Sequence, residues 1–162
     1  MYYYPDNIQE SILIFQKGRF DYSYVRDLSL RLLEKSRIPL KDYNGDEWHL
    51  TVWNITNVLP LGLRLEKGIA AFPEEIPKRL IKLFSFHGET VLDPFLGSGT
   101  TMKVAKELGR NSWGYEIDRR LKKVIRQKLS GHQSDSKVEF RLRQESKKSR
   151  PSVSRRQVIA QS

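Results

Sequence analysis

Apolar positions in this chain fall into short runs and helical stripes, and the order is clearest between Phe72 and Leu129. In "FPEEIPKRLIKLFSFHG", Ile76, Leu80, Ile81 and Phe84 recur at helical spacing, which predicts a helix with Gly88 just past its end. Glu74 and Glu75 lie in its first turn, where the helix dipole favours acids. Pro77 is tolerated there because a missing N–H costs little near a helix start. "ETVLDPF" then predicts a buried strand, and "GTTMKVAKELG" a helix closed by Gly109. "SWGYEID" predicts a second strand and "RRLKKVIRQKL" a third helix. Helix, strand, helix, strand, helix is the rhythm of a parallel α/β sheet.

The flanks are less regular. "ESILIFQKG", residues Glu10 to Gly18, predicts a short apolar strand ended by glycine. In "YSYVRDLSLRLLEKS", Val25, Leu28, Leu32 and Leu33 share a helical face from Tyr22 to Ser36. Asn44-Gly45 signals a turn, and a β-prone run follows from Trp48 to Ile55. Beyond Ser130 large apolar residues become rare; "KVEFRLR" is one short β-prone piece, and the end of the tail is expected to be disordered. No internal repeat is evident.

Composition narrows the class. At 162 residues and 38% hydrophobic, the chain has room for one domain with a real core. Without cysteine it can hold neither a disulfide framework nor a thiolate metal site, and His49, His87 and His132 are too scattered to suggest a metal centre. No apolar run approaches the roughly 20 residues of a membrane span, and "MYYYPDNIQE" lacks the pattern of a signal peptide. A cytoplasmic protein without membrane contact is the expectation. The net charge of +10 favours a polyanionic partner, most simply nucleic acid. From Ser130 to Ser162 eight Lys/Arg face three Asp/Glu, so about half of the excess sits in the tail, which can also be read as merely solubilising.

The stretch "ETVLDPFLGSGTTMKVAKELGRNSWGYEID" carries the chemistry. A strand running into Gly97-Ser98-Gly99 and then into a helix bends tightly at the carboxyl end of a sheet strand, where open α/β sheets bind ligands. Glycine permits positive φ there and lets a ligand approach the backbone. Two phosphate-binding patterns fail: no lysine follows the glycines, and Met102 stands where a dinucleotide fingerprint needs its third glycine. Glu116 follows Gly99 by 17 positions at the end of the next strand, where a carboxylate takes the ribose hydroxyls of a nucleoside. A loop shaped for a nucleoside, without a cation of its own and with Asp93 at the strand end, suits S-adenosylmethionine, a nucleoside with a positively charged sulfonium. Taken singly, Asp93 and Glu116 can equally be helix caps or exposed acids.

"LDPFLGSGTT" followed by "GRNSWGYEID" resembles the cofactor-binding core of the DNA amino-methyltransferases, the restriction–modification enzymes that methylate the exocyclic amine of cytosine or adenine. "AAFPEEIPKRLIKLFS" resembles that family's next cofactor segment, and its place before the glycine loop matches the permuted branch. "ESILIFQKG" is similar to the strand that closes the catalytic half of that branch, so the resemblance spans roughly Glu10 to Leu129. It implies an α/β, Rossmann-like S-adenosylmethionine-dependent methyltransferase fold, a parallel-rich sheet flanked by helices, whole or incomplete. Asp93, Phe95, Gly97, Ser98, Gly99 and Thr100 would line the methionine and sulfonium part, Glu116 would bind the ribose, and Phe72 and Pro73 would pack beside the cofactor. It further implies four regions: 1–18 ending the catalytic half, 19–65 for target recognition, 66–129 as the cofactor core, and 130–162 as a basic, partly disordered tail.

The family also uses a Ser/Asp-Pro-Pro-Tyr/Phe tetrapeptide to hold the target amine and stack on the flipped base. No Pro-Pro pair occurs in this chain, and the histidine usual before the F-P pair is replaced in "EKGIAAFP". In permuted order the tetrapeptide lies upstream of "ESILIFQKG", close to where this sequence begins. The expectations are a half completed by a partner chain, a truncated product, or a cofactor-binding remnant, with the catalytic residues unassigned. Residues Arg19 to Leu65 interleave Arg26, Arg31, Lys35, Arg37 and Lys41 with Tyr22, Tyr24, Tyr43, Trp48 and Trp53, a mixture suited to phosphate contact and base stacking. The plainer account makes those aromatics core and the charges a solvated face. The expected partners are double-stranded DNA, a chain carrying the tetrapeptide and a cognate restriction endonuclease, with cytosine favoured over adenine. A non-catalytic nucleic-acid-binding protein with a methyltransferase-like fold is the alternative, and an RNA or protein methyltransferase a third reading.

Overall fold

The centre of the computed structural model is one β–α–β unit, and the rest of the chain is arranged around it. Residues 10–19, 22–56, 73–130, 138–142 and 158–161 are described. β1 (Thr90–Asp93) leads through the glycine loop into α4 (Thr100–Glu107), which returns to β2 (Asn111–Glu116). β1 and β2 pair in parallel, with Thr90 opposite Asn111 and Asp93 opposite Gly114. α3 (Glu75–Phe84) precedes the unit; a 3₁₀ turn (Arg119–Leu121) and α5 (Lys122–Ser130) follow it. These elements lie where the hydrophobic spacing places them, but β1 is not the buried strand expected of it. Thr90 and Leu92 are exposed, and Val91 and Asp93 are only partly covered, because its described ladder and packing lie on one side.

α4 is packed on two sides. Met102 faces Leu96, Leu121, Ile125 and Leu129, with Val138 and Phe140 completing that cluster. Val104 and Ala105 meet Ile81 of α3, with Val91 and Leu108 alongside. Arg110 locks the base of this arrangement. Its Nη2 donates to the Ser85 carbonyl at 2.7 Å and its Nη1 to the Leu108 carbonyl at 2.7 Å, so one guanidinium caps the ends of both α3 and α4. Burial holds its pKa below the usual arginine value.

The sheet continues past β2, but not in parallel. Its order is β1-β2-β4-β3, with β3 (Glu139–Leu142) and β4 (Val158–Gln161). Both the β2–β4 and the β4–β3 pairs are antiparallel. The fold is α/β as expected; its far half is an antiparallel extension. The expectation of a disordered end fails at 158–161, because β4 lies between β2 and β3 and supplies backbone partners to both.

Three other expectations are corrected. Residues 10–18 form no strand: Ile12, Leu13, Ile14 and Phe15 are exposed, and no described strand pairs with them, so nothing there satisfies a ladder. The single helix over 22–36 is two, α1 (Tyr22–Arg26) and α2 (Leu30–Ser36). Ser29 breaks it, adopting an extended conformation in which its hydroxyl accepts the Leu32 N–H as an N-cap. Lastly, Lys41–Gly45 forms a π-helical turn, and 48–56 is not a strand. Trp48 is instead buried against α3, beneath the cations of Lys78, Arg79 and Lys82, each 5.6 Å from its ring centre. The Trp53 indole N–H closes this segment on the Trp48 carbonyl at 3.3 Å.

Candidate cofactor site

The glycine loop is held by its own backbone and by two carboxylates. At the end of β1, Asp93 Oδ1 accepts the Phe95 N–H at 3.0 Å, which starts the bend. The Leu96 N–H donates to the Tyr115 carbonyl at 2.9 Å, pinning the loop to β2. Gly97 and Gly99 both take positive φ, 54° and 87°, a region where side chains are disfavoured. Gly99 is then the N-cap of α4. It also lets α5 approach, since a Cβ there would stand 3.3 Å from Ile125 Cγ2.

Glu116 serves both strand ends. Its Oε2 accepts the Gly97 N–H at 2.8 Å and its Oε1 the Asp118 N–H at 2.7 Å. A carboxylate has about four acceptor positions, so two backbone donors leave each oxygen a further lone pair, enough for a pair of vicinal hydroxyls. Asp118 in turn caps the 3₁₀ turn, and Arg120 beside it lowers its carboxyl pKa.

Asp93, Phe95, Gly97, Ser98, Gly99, Thr100 and Glu116 are thus gathered on one loop and the adjoining strand end. Phe95 is 89% exposed and Leu92 60%, so the loop opens to solvent on its strand side. Ser98 and Thr100 are buried, their hydroxyls 3.4 Å apart. Pro73 lies just before α3, and α3 is drawn to α4 by the Lys103 ammonium, which donates to Glu74 at 2.7 Å. That pairing raises the Lys103 pKa. Phe72 lies outside the described residues.

Two contributors escaped the sequence. Lys128, on α5, places its Nζ 2.7 Å from Ser98 Oγ, so a loop without a cation of its own receives one from a helix 30 residues away. Gly114 in β2 makes room for Leu96, whose Cδ2 would lie 2.7 Å from a Cβ at that position. A glycine inside a strand is the signal that could have found it; no spacing rule points to Lys128. Among the described residues no group of His, Cys, Asp and Glu could hold a metal ion. No helix among them is long and apolar enough to cross a membrane. A cavity of about 190 Å³ between α5 and β3, lined by Arg126, Leu129, Ser130, Val138 and Phe140, is separate from the loop.

A family model described as DNA methylase, of the N6/N4 methyltransferase type, matches residues 2–127. The chain belongs to the N6/N4 DNA methylase family. Among its members, Type II methyltransferase M.MjaI of Methanocaldococcus jannaschii is 43% identical over 133 residues, covering 82% of this chain and 42% of the relative. The DNA adenine methyltransferase YhdJ of Escherichia coli K12 is 32% identical over 121 residues, 69% of this chain and 41% of the relative. Among solved structures, a candidate DNA modification methylase from Thermus thermophilus, complexed with S-adenosyl-L-methionine, matches with a TM-score of 0.52 and 28% identity. That match covers 71% of this chain and 41% of the other. This DNA methylase chain therefore spans about two-fifths of the length of these relatives.

Proposed function

We propose that this chain is the S-adenosylmethionine-binding part of a site-specific DNA methyltransferase acting on an exocyclic amine of cytosine or adenine in double-stranded DNA, within a restriction–modification system in the cytoplasm. The observation that carries this is the Gly97–Glu116 bond, which fixes the glycine loop against a carboxylate one strand away. When bound, S-adenosylmethionine would supply a methyl group already activated by its sulfonium.

The residues present fit such a ligand. Glu116 keeps lone pairs for two ribose hydroxyls, Gly97 and Gly99 allow backbone approach, and Asp93 offers negative charge at the strand end. Phe95, exposed beside them, provides an apolar face. Solvent-facing Arg26, Arg31, Lys35, Arg37 and Lys41 support contact with DNA phosphates. Trp48 is core, so base stacking in that segment would fall to exposed Tyr24 or Tyr43. Holding the target amine in line with the methyl group, and accommodating the flipped base, needs the missing tetrapeptide. We assign that role to residues outside these 162 positions, whether on a partner chain or on a further part of a longer protein, with a cognate endonuclease as the companion activity. The cytosine amine is our first expectation; chromatography of methylated DNA for N4-methylcytosine against N6-methyladenine decides it.

The test is calorimetry on the full chain. S-adenosylhomocysteine should bind, and Gly99→Arg or Asp93→Ala should abolish or severely weaken that binding. A folded wild-type chain that gives no heat with the ligand would end this reading.

A further inference from the structure

The cation at the glycine loop has a chemical consequence for what the loop prefers. Lys128 Nζ lies 2.7 Å from Ser98 Oγ and 3.5 Å from Thr100 Oγ1, and the two hydroxyls lie 3.4 Å apart. Its placement follows from packing: Ile125, three residues earlier on α5, covers Gly99, so the same helix face lies over the loop. An ammonium has donors and no acceptor, so each contact takes a lone pair from its partner. A serine hydroxyl that accepts from Lys128 must turn its own proton elsewhere. Ser98, and at longer range Thr100, thereby accept from the ammonium. Even if one hydroxyl donates to the other, the pair keeps a proton for a further acceptor, at the start of α4, where unpaired N–H groups and the helix dipole also favour negative charge.

The loop thus has two ends of opposite character. The β1 end carries the Asp93 carboxylate, and the α4 end carries two hydroxyls polarised by an ammonium. A methionine tail also has two ends, a sulfonium and an α-carboxylate. We propose that Lys128 is a positioning residue that acts through Ser98 and Thr100 to make the α4 end of the loop a seat for the α-carboxylate of the methionine tail. This rests on the cofactor reading above and adds its orientation and the group that enforces it.

The experiment compares two ligands on the full-length chain by calorimetry: S-adenosylhomocysteine and its decarboxylated analogue. Wild type should prefer the carboxylate-bearing ligand by about tenfold or more, the worth of one hydrogen bond to a charged group. Lys128→Met should weaken S-adenosylhomocysteine about tenfold and the analogue less than about twofold. Lys128→Arg, which restores a cation, should recover most of the loss. Retained binding of the analogue also shows that the variant is folded. Equal loss for both ligands, or equal wild-type affinity for both, would overturn the inference and leave the cofactor reading intact. A wild-type chain that binds neither would remove both.

Discussion

At the scale of single residues, the site depends on positions where a side chain is forbidden or a charge is indispensable. Gly99 combines a φ of 87° with Ile125 at 3.3 Å from any added Cβ, so Gly99→Ala should cost about 1–2 kcal/mol, seen as a lower midpoint in urea with an unchanged slope. Gly114→Ala presses on Leu96, which is 3% exposed and has nowhere open to move; about 1–3 kcal/mol is expected from the same measurement. Arg110→Met would strip the Ser85 and Leu108 carbonyls of a charged donor while filling much of the volume, for a loss of about 2–4 kcal/mol. His87 gives a pH signature. Burial first, then the Lys35 and Arg110 charges, lower its pKa from 6.5, so the folded state binds fewer protons than the unfolded one just below that value. Stability should therefore fall as pH drops from 6.5 through the lowered folded-state pKa, and level off below it. Denaturant titrations of His87→Gln should show a shallower fall over the same range; an unchanged slope would exclude His87 as the source.

At the scale of elements, what the sequence disclosed depends on how local the determining interactions are. α3, β1, α4, β2 and α5 were legible because each bears its own apolar stripe or run and its own glycine stop, and a tight loop joins β1 to α4. The glycine loop shared that legibility: Asp93, Gly97, Gly99 and Glu116 lie at fixed offsets in one β–α–β unit, so spacing alone brings them together. What depended on distant partners was misread. The Ile12–Phe15 run is strand-like in composition but has no described neighbour to pair with. Trp48 looked β-prone, yet cations on α3 claim it. β4 was hidden because "VIAQ" follows a polar, basic stretch and finds its partners on β2 and β3, elsewhere in the chain. Lys128 was hidden for the same reason. The tail therefore has an architectural as well as an electrostatic part. Truncation before Val158 would remove the strand that joins β2 to β3, and should lower the thermal midpoint by several degrees, about the effect of 1 kcal/mol or more in a domain of this size. An unchanged midpoint in differential scanning calorimetry would show β4 to be dispensable.

For the whole molecule, the proposed cofactor seat is paired with a sequence that carries no Ser/Asp-Pro-Pro-Tyr/Phe tetrapeptide to hold a base. β1 makes its described ladder with β2 on one side, and Leu92 and Phe95 on that strand and its loop are 60% and 89% exposed. Apolar side chains at an open sheet edge suit cover by further protein better than cover by water. The relatives, which this chain matches over about two-fifths of their length, have the additional residues to provide it. If the two functions are divided between chains, cofactor binding and base binding must meet at this edge, and methyl transfer will need both in one complex. Tritiated S-adenosylmethionine and duplex DNA should then yield no incorporation with this chain alone. Co-expression with a chain bearing Ser/Asp-Pro-Pro-Tyr should restore incorporation, and Phe95→Asp should weaken assembly measured by gel filtration. The net +10 charge predicts that DNA binding by either form weakens steeply with salt. Turnover by this chain in isolation would contradict the division of labour, because the amine would then be held by residues within these 162 positions.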